Sequence, residues 1–248
     1  MLDFTLGMYR KLCETCLAAD FEVVPLNKYS NPSGKKRLYL RHDVDRQAKA
    51  ALEMAKLEKL LGISSTYFFR MPANPSVMFI GQIAALGMEI GYHYECLDQA
   101  NGDMAKALDI FKTNLEKMRK LCPVTSISMH GNPLSKNDNR DLWKEHNFHQ
   151  FGLDLEAYLT IDYNKVAYFS DTGRNWDPRK HKVYDVTAVI PDFNLKSTMD
   201  IMTFLGNHRG DICLLTHPNR WTDNIALWLY NYAYDMAGNA AKYIVRGK

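Results

Sequence analysis

Short strands alternating with helices through a chain of 248 residues predict a parallel α/β fold, with βα units joined in one sheet or barrel. Three observations carry that reading. The run Leu38-Tyr39-Leu40-Arg41-His42-Asp43-Val44-Asp45 opens as an alternating apolar strand. A helical stripe follows it at once, with Ala50, Met54, Leu57 and Leu61 at i, i+4, i+7 and i+11 and Gly62 as the stop. The same strand-then-helix pattern then recurs to the end of the chain.

The helical spacing predicts an amphipathic helix over residues 5–19, then a short extended piece over 21–25. A Pro/Gly/Ser-rich loop leads into the Leu38 strand, and Lys35-Lys36-Arg37 reads as a solvated turn before it. Ser65 to Phe69, β-branched and aromatic, is the second strand, broken by Met71-Pro72-Ala73-Asn74-Pro75. A short helix over 77–86 ends at Gly87, and Glu89 to Glu95 is the third strand. The clearest helix carries Met104, Leu108, Phe111, Leu115 and Met118 on one stripe, with Asp103 as cap and Pro123 as stop. Residues 125–129 form a fourth strand that delivers His130-Gly131-Asn132-Pro133, and 138–146 read as helical. Strands are expected at 148–155 and 166–170, a polar loop over 171–182, and strand or irregular chain over 183–195. A helix over 198–205, a buried strand over 212–216 ending at His217, and a helix over 226–236 complete the reading. The tyrosines Tyr230, Tyr232 and Tyr234 there are either core or interface.

Composition narrows the class. With 46% hydrophobic residues the chain can bury a sizeable core as one domain over residues 1–248. A net charge of +3 is too small to argue for nucleic acid. Five scattered cysteines show no disulfide framework, which suits a reducing compartment. Cys13 and Cys16 form a CxxC inside a helical pattern, so buried thiols are expected rather than a redox or zinc pair. No basic-then-apolar leader and no bilayer-length apolar run is visible, and a cytoplasmic location is expected.

The chemistry follows from where polar residues fall. On a strand, Asp43 and Asp45 share a face with Arg41 behind them, while His42 and Val44 face the other way. Two like charges at a strand's carboxyl end need a counter-charge or a cation. His93, His130, Asp171 and His217 also sit at or just past strand ends, which share one rim in a parallel barrel. Imidazole and carboxylate together suit zinc or another divalent transition metal. Each residue has a plainer role too: His93 as a hydrogen-bonded core residue, His130 and Asp171 as turn caps, His217 as the anchor of the last loop. The shared rim position favours the site reading. His146, His149, His181 and His208 lack that placement.

Five motifs in order then resemble the polysaccharide deacetylase superfamily, in particular a divergent intracellular branch with an Arg-His-Asp-Val-Asp signature. They are Arg41-His42-Asp43-Val44-Asp45, Glu89-Ile90-Gly91-Tyr92-His93, Met129-His130-Gly131-Asn132-Pro133, Ser170-Asp171-Thr172-Gly173 with Trp176, and Thr216-His217-Pro218 ending near Trp221. The resemblance spans residues 38–221. It implies a distorted, incomplete (β/α) barrel and a metal-dependent hydrolase acting on C–N bonds, removing acetyl groups from an N-acetylated sugar or glycan precursor. By position Asp43 matches the general base, Asp45 a metal ligand, His93 the first histidine ligand and His217 the general acid. Asp171 and Trp176 match the segment that supports them.

The chain departs from the family pattern in three places, one of them His130-Gly131-Asn132-Pro133, which stands where an arginine often begins the third motif. Val44 separates aspartates that are usually adjacent, and Leu97 stands where the second metal histidine is expected. Glu95, Asp98 or His130 must then complete the ligand set, and the strand-end rule prefers His130. The expected metal set is therefore Asp45, His93 and His130 around a divalent ion, zinc first. Arg140, Asp171, Trp176, Arg220 and Trp221 are expected to shape the sugar pocket, since forked donors and aromatic faces suit a hydroxylated ring. Two rivals stand beside this reading: a metal-independent C–N hydrolase on the same scaffold, and a non-catalytic carbohydrate-binding domain.

Overall fold

The computed structural model describes residues 2–31, 33–71, 77–132, 135–178 and 194–246, the side chains of 241–246 excepted. Helix α1 (Leu6–Ala18) starts where Thr5 Oγ1 accepts the Met8 amide hydrogen at 3.0 Å. It is followed by β1 (Glu22–Val24), β2 (Arg37–Val44) and α2 (Ala48–Leu60). Next come β3 (Thr66–Phe69), α3 (Val77–Ala85), β4 (Glu89–Tyr94) and the short α4 (Cys96–Gln99). Helix α5 (Met104–Arg119), capped by Asp103, leads to β5 (Ser126–Met129) and α6 (Leu142–Glu145). The chain continues through β6 (Leu155–Glu156), β7 (Ala167–Ser170), α7 (Thr198–Asn207), β8 (Ile212–Thr216) and α8 (Ile225–Arg246).

All strand pairs are parallel, in the order β6-β5-β4-β3-β2-β8-β7, with β1 added to β2. Strand β2 is the hub. Its residues 38–42 pair with β8, 37–39 with β1 and 41–44 with β3. Among the described residues the order ends at β6 and β7 without closing, and the sheet curls into a distorted, incomplete (β/α) barrel, as expected.

The period of two along β2 divides the core. Tyr39 belongs to the interior cluster with Phe68, Tyr168, Cys213 and Leu215. Leu38 and Leu40 face α1, α2 and α7. His42, also outward, lies 2.9 Å from Glu58 of α2, whose carboxylate accepts hydrogen bonds from Tyr9 and Ser65 at 2.5 Å each. This buried polar knot joins α1, α2 and β2 on the side away from the interior. Cys13 and Cys16 are buried free thiols, and burial pushes Cys16 up to about 12, so the CxxC is inert packing.

The sequence reading differs from the structure at three elements. Residues 148–155 are a strand only at Leu155–Glu156; Phe148–Phe151 forms a 3-10 turn, capped by Asn147 and ended by Gly152 at φ 65°. Aromatic packing of Phe151 on Phe111 and of Phe148 on Trp143 overrides β propensity there. Helix α4 was not expected, and α8 runs ten residues beyond the expected 236 to Arg246. The breaker residues Pro72 to Pro75, Pro133, His181 and most of the expected 183–195 segment lie outside the described residues.

Gly91 on β4 faces the interior so closely that a Cβ there would lie 2.3 Å from the Phe68 ring. Gly91→Ala should therefore destabilise the fold by about 1–3 kcal/mol through overpacking, measured by urea unfolding. A change near zero would mean that Phe68 is free to move aside.

Candidate active site

Below the rim, Arg41 and Asp43 form a buried pair on adjacent inward positions of β2. Arg41 Nη2 donates to Asp43 Oδ2 at 2.8 Å and to Oδ1 at 3.0 Å, and also to Ser128 Oγ at 2.7 Å. The guanidinium stacks between Phe68 and Tyr158, with ring centroids at 5.2 and 4.9 Å. Burial pushes the Asp43 carboxyl up, but Arg41, then His93 and His217, pull it below the ordinary carboxylate range. Asp43 is thus ionised and fixed in direction. Arg41 takes this tethering role from two residues upstream on the same strand.

Asp45, just past β2, meets three imidazoles. Its Oδ1 lies 3.4 Å from His93 Nε2 and 3.7 Å from His130 Nε2, and its Oδ2 lies 3.9 Å from His217 Nε2. His93 Nδ1 sits 3.0 Å from the Ser128 carbonyl oxygen, which can only accept, so Nδ1 carries the hydrogen. In the neutral ring Nε2 then turns a lone pair toward Asp45. His130 Nδ1 faces Glu95 Oε2 at 2.9 Å, an ion-pair contact without hydrogen-bond geometry. Glu95 is gripped in turn by Arg70 Nη2, at 2.6 and 2.7 Å from its two oxygens, and is lowered to about 2: burial raises it, and His130 and Arg70 overcome that. One ligand atom each from Asp45, His93 and His130 falls within 4.8 Å of the others.

The donor set tests whether a cation belongs there. Among the described residues Asp45 Oδ1 is buried and has no hydrogen-bond partner, although two nitrogens lie near it. A buried carboxylate oxygen facing imidazole lone pairs needs positive charge between them. A proton supplies it in part: burial lowers His93, while Asp43 and Asp45 more than compensate and hold it above its ordinary value. A divalent ion fits the same position, and two imidazoles with one carboxylate suit zinc.

His217, beyond β8, is held from behind by Asp171. Its Nδ1 is 2.5 Å from Asp171 Oδ1, and its backbone N–H donates to Oδ2 at 2.9 Å. Arg220 Nη1 and Trp221 Nε1 each donate to the same carboxylate at 2.9 Å. Burial raises the Asp171 carboxyl, but Arg220 first and His217 next drive it far below the ordinary range. His217 Nε2 is left facing Asp45 and the rim.

The rim therefore gathers Asp43, Asp45, His93, His130, Asp171 and His217. The expected sugar-pocket residues behave differently. Trp176 and Trp221 are 0% and 2% exposed, Trp176 stacked on Phe4 and Trp221 packed at a tilt against both, so neither presents a face to a ligand; Trp221 instead orients Asp171. Arg220 is buried between Asp171 and Asp235 of α8. Arg140 is half-buried and paired with Asp138 at 2.5 Å. Leu97 is core, and Asp98 is tied to Ser135 and Asn139 in the loop after β5, so neither enters the cluster. Sequence reasoning missed Arg70 and Asp235. Arg70 follows β3 directly, and the same strand-end rule points to it; Asp235 lies in a helix, where no such rule applies.

No protein-family model matches the chain, and no curated protein does. Its fold is similar to those of several solved structures. One is a CE4 family pseudoenzyme from Bacillus anthracis, 15% identical with a TM-score of 0.49. The match covers 83% of this chain but only 62% of that one. A CE4 esterase from Streptococcus mutans is 12% identical with a TM-score of 0.49, covering 81% of this chain and 82% of that one. The catalytic domain of a peptidoglycan N-acetylglucosamine deacetylase from Eubacterium rectale is 14% identical with a TM-score of 0.47, covering 84% and 87%. Among the described residues no helix is long and apolar enough to cross a membrane.

The Asp171 carboxylate is depressed by folding, so its stabilisation is complete above the unfolded value near 3.8 and disappears as pH falls through that value toward the lower folded one. Asp171→Asn should cost about 3–5 kcal/mol at pH 7 by leaving Arg220 poorly paired. It should also flatten the fall in stability below about pH 4. Denaturant unfolding between pH 7 and 2 reads both; an unchanged acid limb would contradict this assignment.

Proposed function

We propose that the chain is a metal-dependent hydrolase that removes the acetyl group from an N-acetylated sugar or glycan precursor. One observation supports this most directly: the unpartnered Oδ1 of Asp45 between His93 Nε2 and His130 Nε2. The ordered motifs supply the reaction class. Asp45, His93 and His130 would hold the ion, with zinc as the first expectation. A divalent ion so held would polarise the amide carbonyl and lower the pKa of a water.

The protein's own groups divide the proton work. Asp43, held ionised by Arg41, receives a proton from the attacking water. Its depressed pKa makes it a weak base, so Arg41 serves aim more than basicity. His217, with Nδ1 held by Asp171, keeps Nε2 free to deliver a proton to the departing amine. The carbohydrate-binding rival needs an aromatic platform, and burial of Trp176 and Trp221 removes the one the sequence suggested.

Three measurements test this reading. Purified protein should contain close to one divalent ion, and His93→Ala should contain far less; equal metal content would remove the site. Acetate release from N-acetylglucosamine oligomers should disappear on exhaustive chelation and return with zinc, whereas activity that survives chelation would favour the metal-independent rival. Glu95→Gln loses the charge that orients His130, and zinc affinity measured by competition with a chelating dye should fall about 10–100-fold. Unchanged affinity would mean that His130 needs no support, or is not a ligand.

A further inference from the structure

Helix α8 is built inside out. Between Ile225 and Ala240 its only charged residue is Asp235, and its polar side chains point into the protein. Asn231, fully buried, exchanges hydrogen bonds with Gln47 at 2.8 and 3.3 Å. Asp235, 7% exposed, pairs with Arg174 at 2.9 Å, Arg220 at 3.3 Å and Arg46 at 4.0 Å. Asn239 donates to the Gly173 carbonyl at 3.1 Å. A surface helix ordinarily does the reverse.

The outward face is apolar. Ile225, Leu229, Tyr230, Tyr232 and Tyr234 are 59%, 56%, 61%, 42% and 54% exposed, with the Arg46 guanidinium 3.6 Å from the Tyr234 ring centroid, whereas of the other exposed large apolar side chains among the described residues only Val77 and Met78 sit side by side on one element. At roughly 200–250 Å² per large side chain, these five present on the order of 600 Å². That is the upper end of the ~300–600 Å² a monomer's largest patch reaches. Tyr232 and Tyr234 lie about 160° apart around the helix, so a single partner helix covers part of this area, at the small end of specific interfaces.

The spacing identifies what covers it. Ala226, Leu229, Ala233, Met236 and Ala240 stand at i, i+3, i+7, i+10 and i+14, a heptad seam, and its four residues other than half-buried Met236 are exposed. Large side chains at 229, 230 and 234 alternate with alanines at 226, 233 and 237, so ridges on this face match grooves on an identical one. A lipid surface is a poorer fit. An interfacial helix turns its polar, Lys/Arg-rich face to water, whereas here the polar face is bound to protein and residues 225–240 contain no Lys or Arg. We infer that α8 pairs with α8 of a second copy, giving a two-fold homodimer. This inference stands apart from the catalytic reading.

Sedimentation velocity of the full chain at micromolar concentration tests it, with Tyr230→Glu and Ala233→Glu alongside and far-UV circular dichroism as the folding control. The wild type should sediment at twice the 28.5 kDa chain mass. Each exposed-face charge should weaken the dimer about 100-fold or more while helix content is kept. A monomeric wild type overturns the inference, as does a dimer indifferent to both substitutions. Co-sedimentation of the wild type with phosphatidylcholine–phosphatidylglycerol vesicles, lost in both variants, would overturn it in favour of lipid.

Discussion

A buried carboxylate oxygen without a hydrogen bond sets the terms for the rim of this barrel. Asp45 Oδ1 faces two imidazole nitrogens whose rings are held from behind, His93 by a hydrogen bond to the Ser128 carbonyl and His130 by the charge of Glu95. Neither ring can rotate to relieve the contact without losing its anchor. Positive charge must therefore lie between them, as a proton or as a metal ion. Both compete for one position, so acid should weaken metal binding. The remaining charges are compensated locally, Asp43 by Arg41 and Asp171 by Arg220 and His217. Removing one member of such a buried pair costs about 3–5 kcal/mol, which makes the rim rigid as well as charged.

In the proposed metal set the second histidine comes from an unusual direction. In the family pattern it would arise one helical turn after His93, at the position of Leu97. Here that turn is α4, and Leu97 packs into the core while its amide is bonded to Asn139. His130 arrives from the end of the neighbouring strand β5, and Glu95, between His93 and α4, supports it. In the proposed site His130 thus stands one strand over from the Leu97 position, with a carboxylate of its own beside it. Proximity in a parallel sheet makes this possible, because β4 and β5 end on the same rim.

Much of the fold was legible because α2 and α5 each bury one face, which imposes a period near four, while β2, buried on both faces, reads as a short apolar run with its charged residues toward the end. The rim residues were legible for the same reason: strand ends are fixed once strands are. What was not legible depends on packing between distant elements. Trp176 and Trp221 have the composition of a sugar platform, yet Phe4 and Tyr9 from the N-terminal segment cover them. Residues 148–155 have β propensity, but their phenylalanines pack on Phe111 and Trp143. The polar inner face of α8 reads as its solvent face until Arg46, Arg174 and Arg220 are placed opposite Asp235.

Anomalous scattering from crystals grown with zinc tests the central claim most directly. A single strong peak is expected about 2.0–2.2 Å from a carboxylate oxygen of Asp45 and from Nε2 of both His93 and His130. A rim with no peak, or a peak ligated by Glu95 or Asp98 in place of His130, would contradict it.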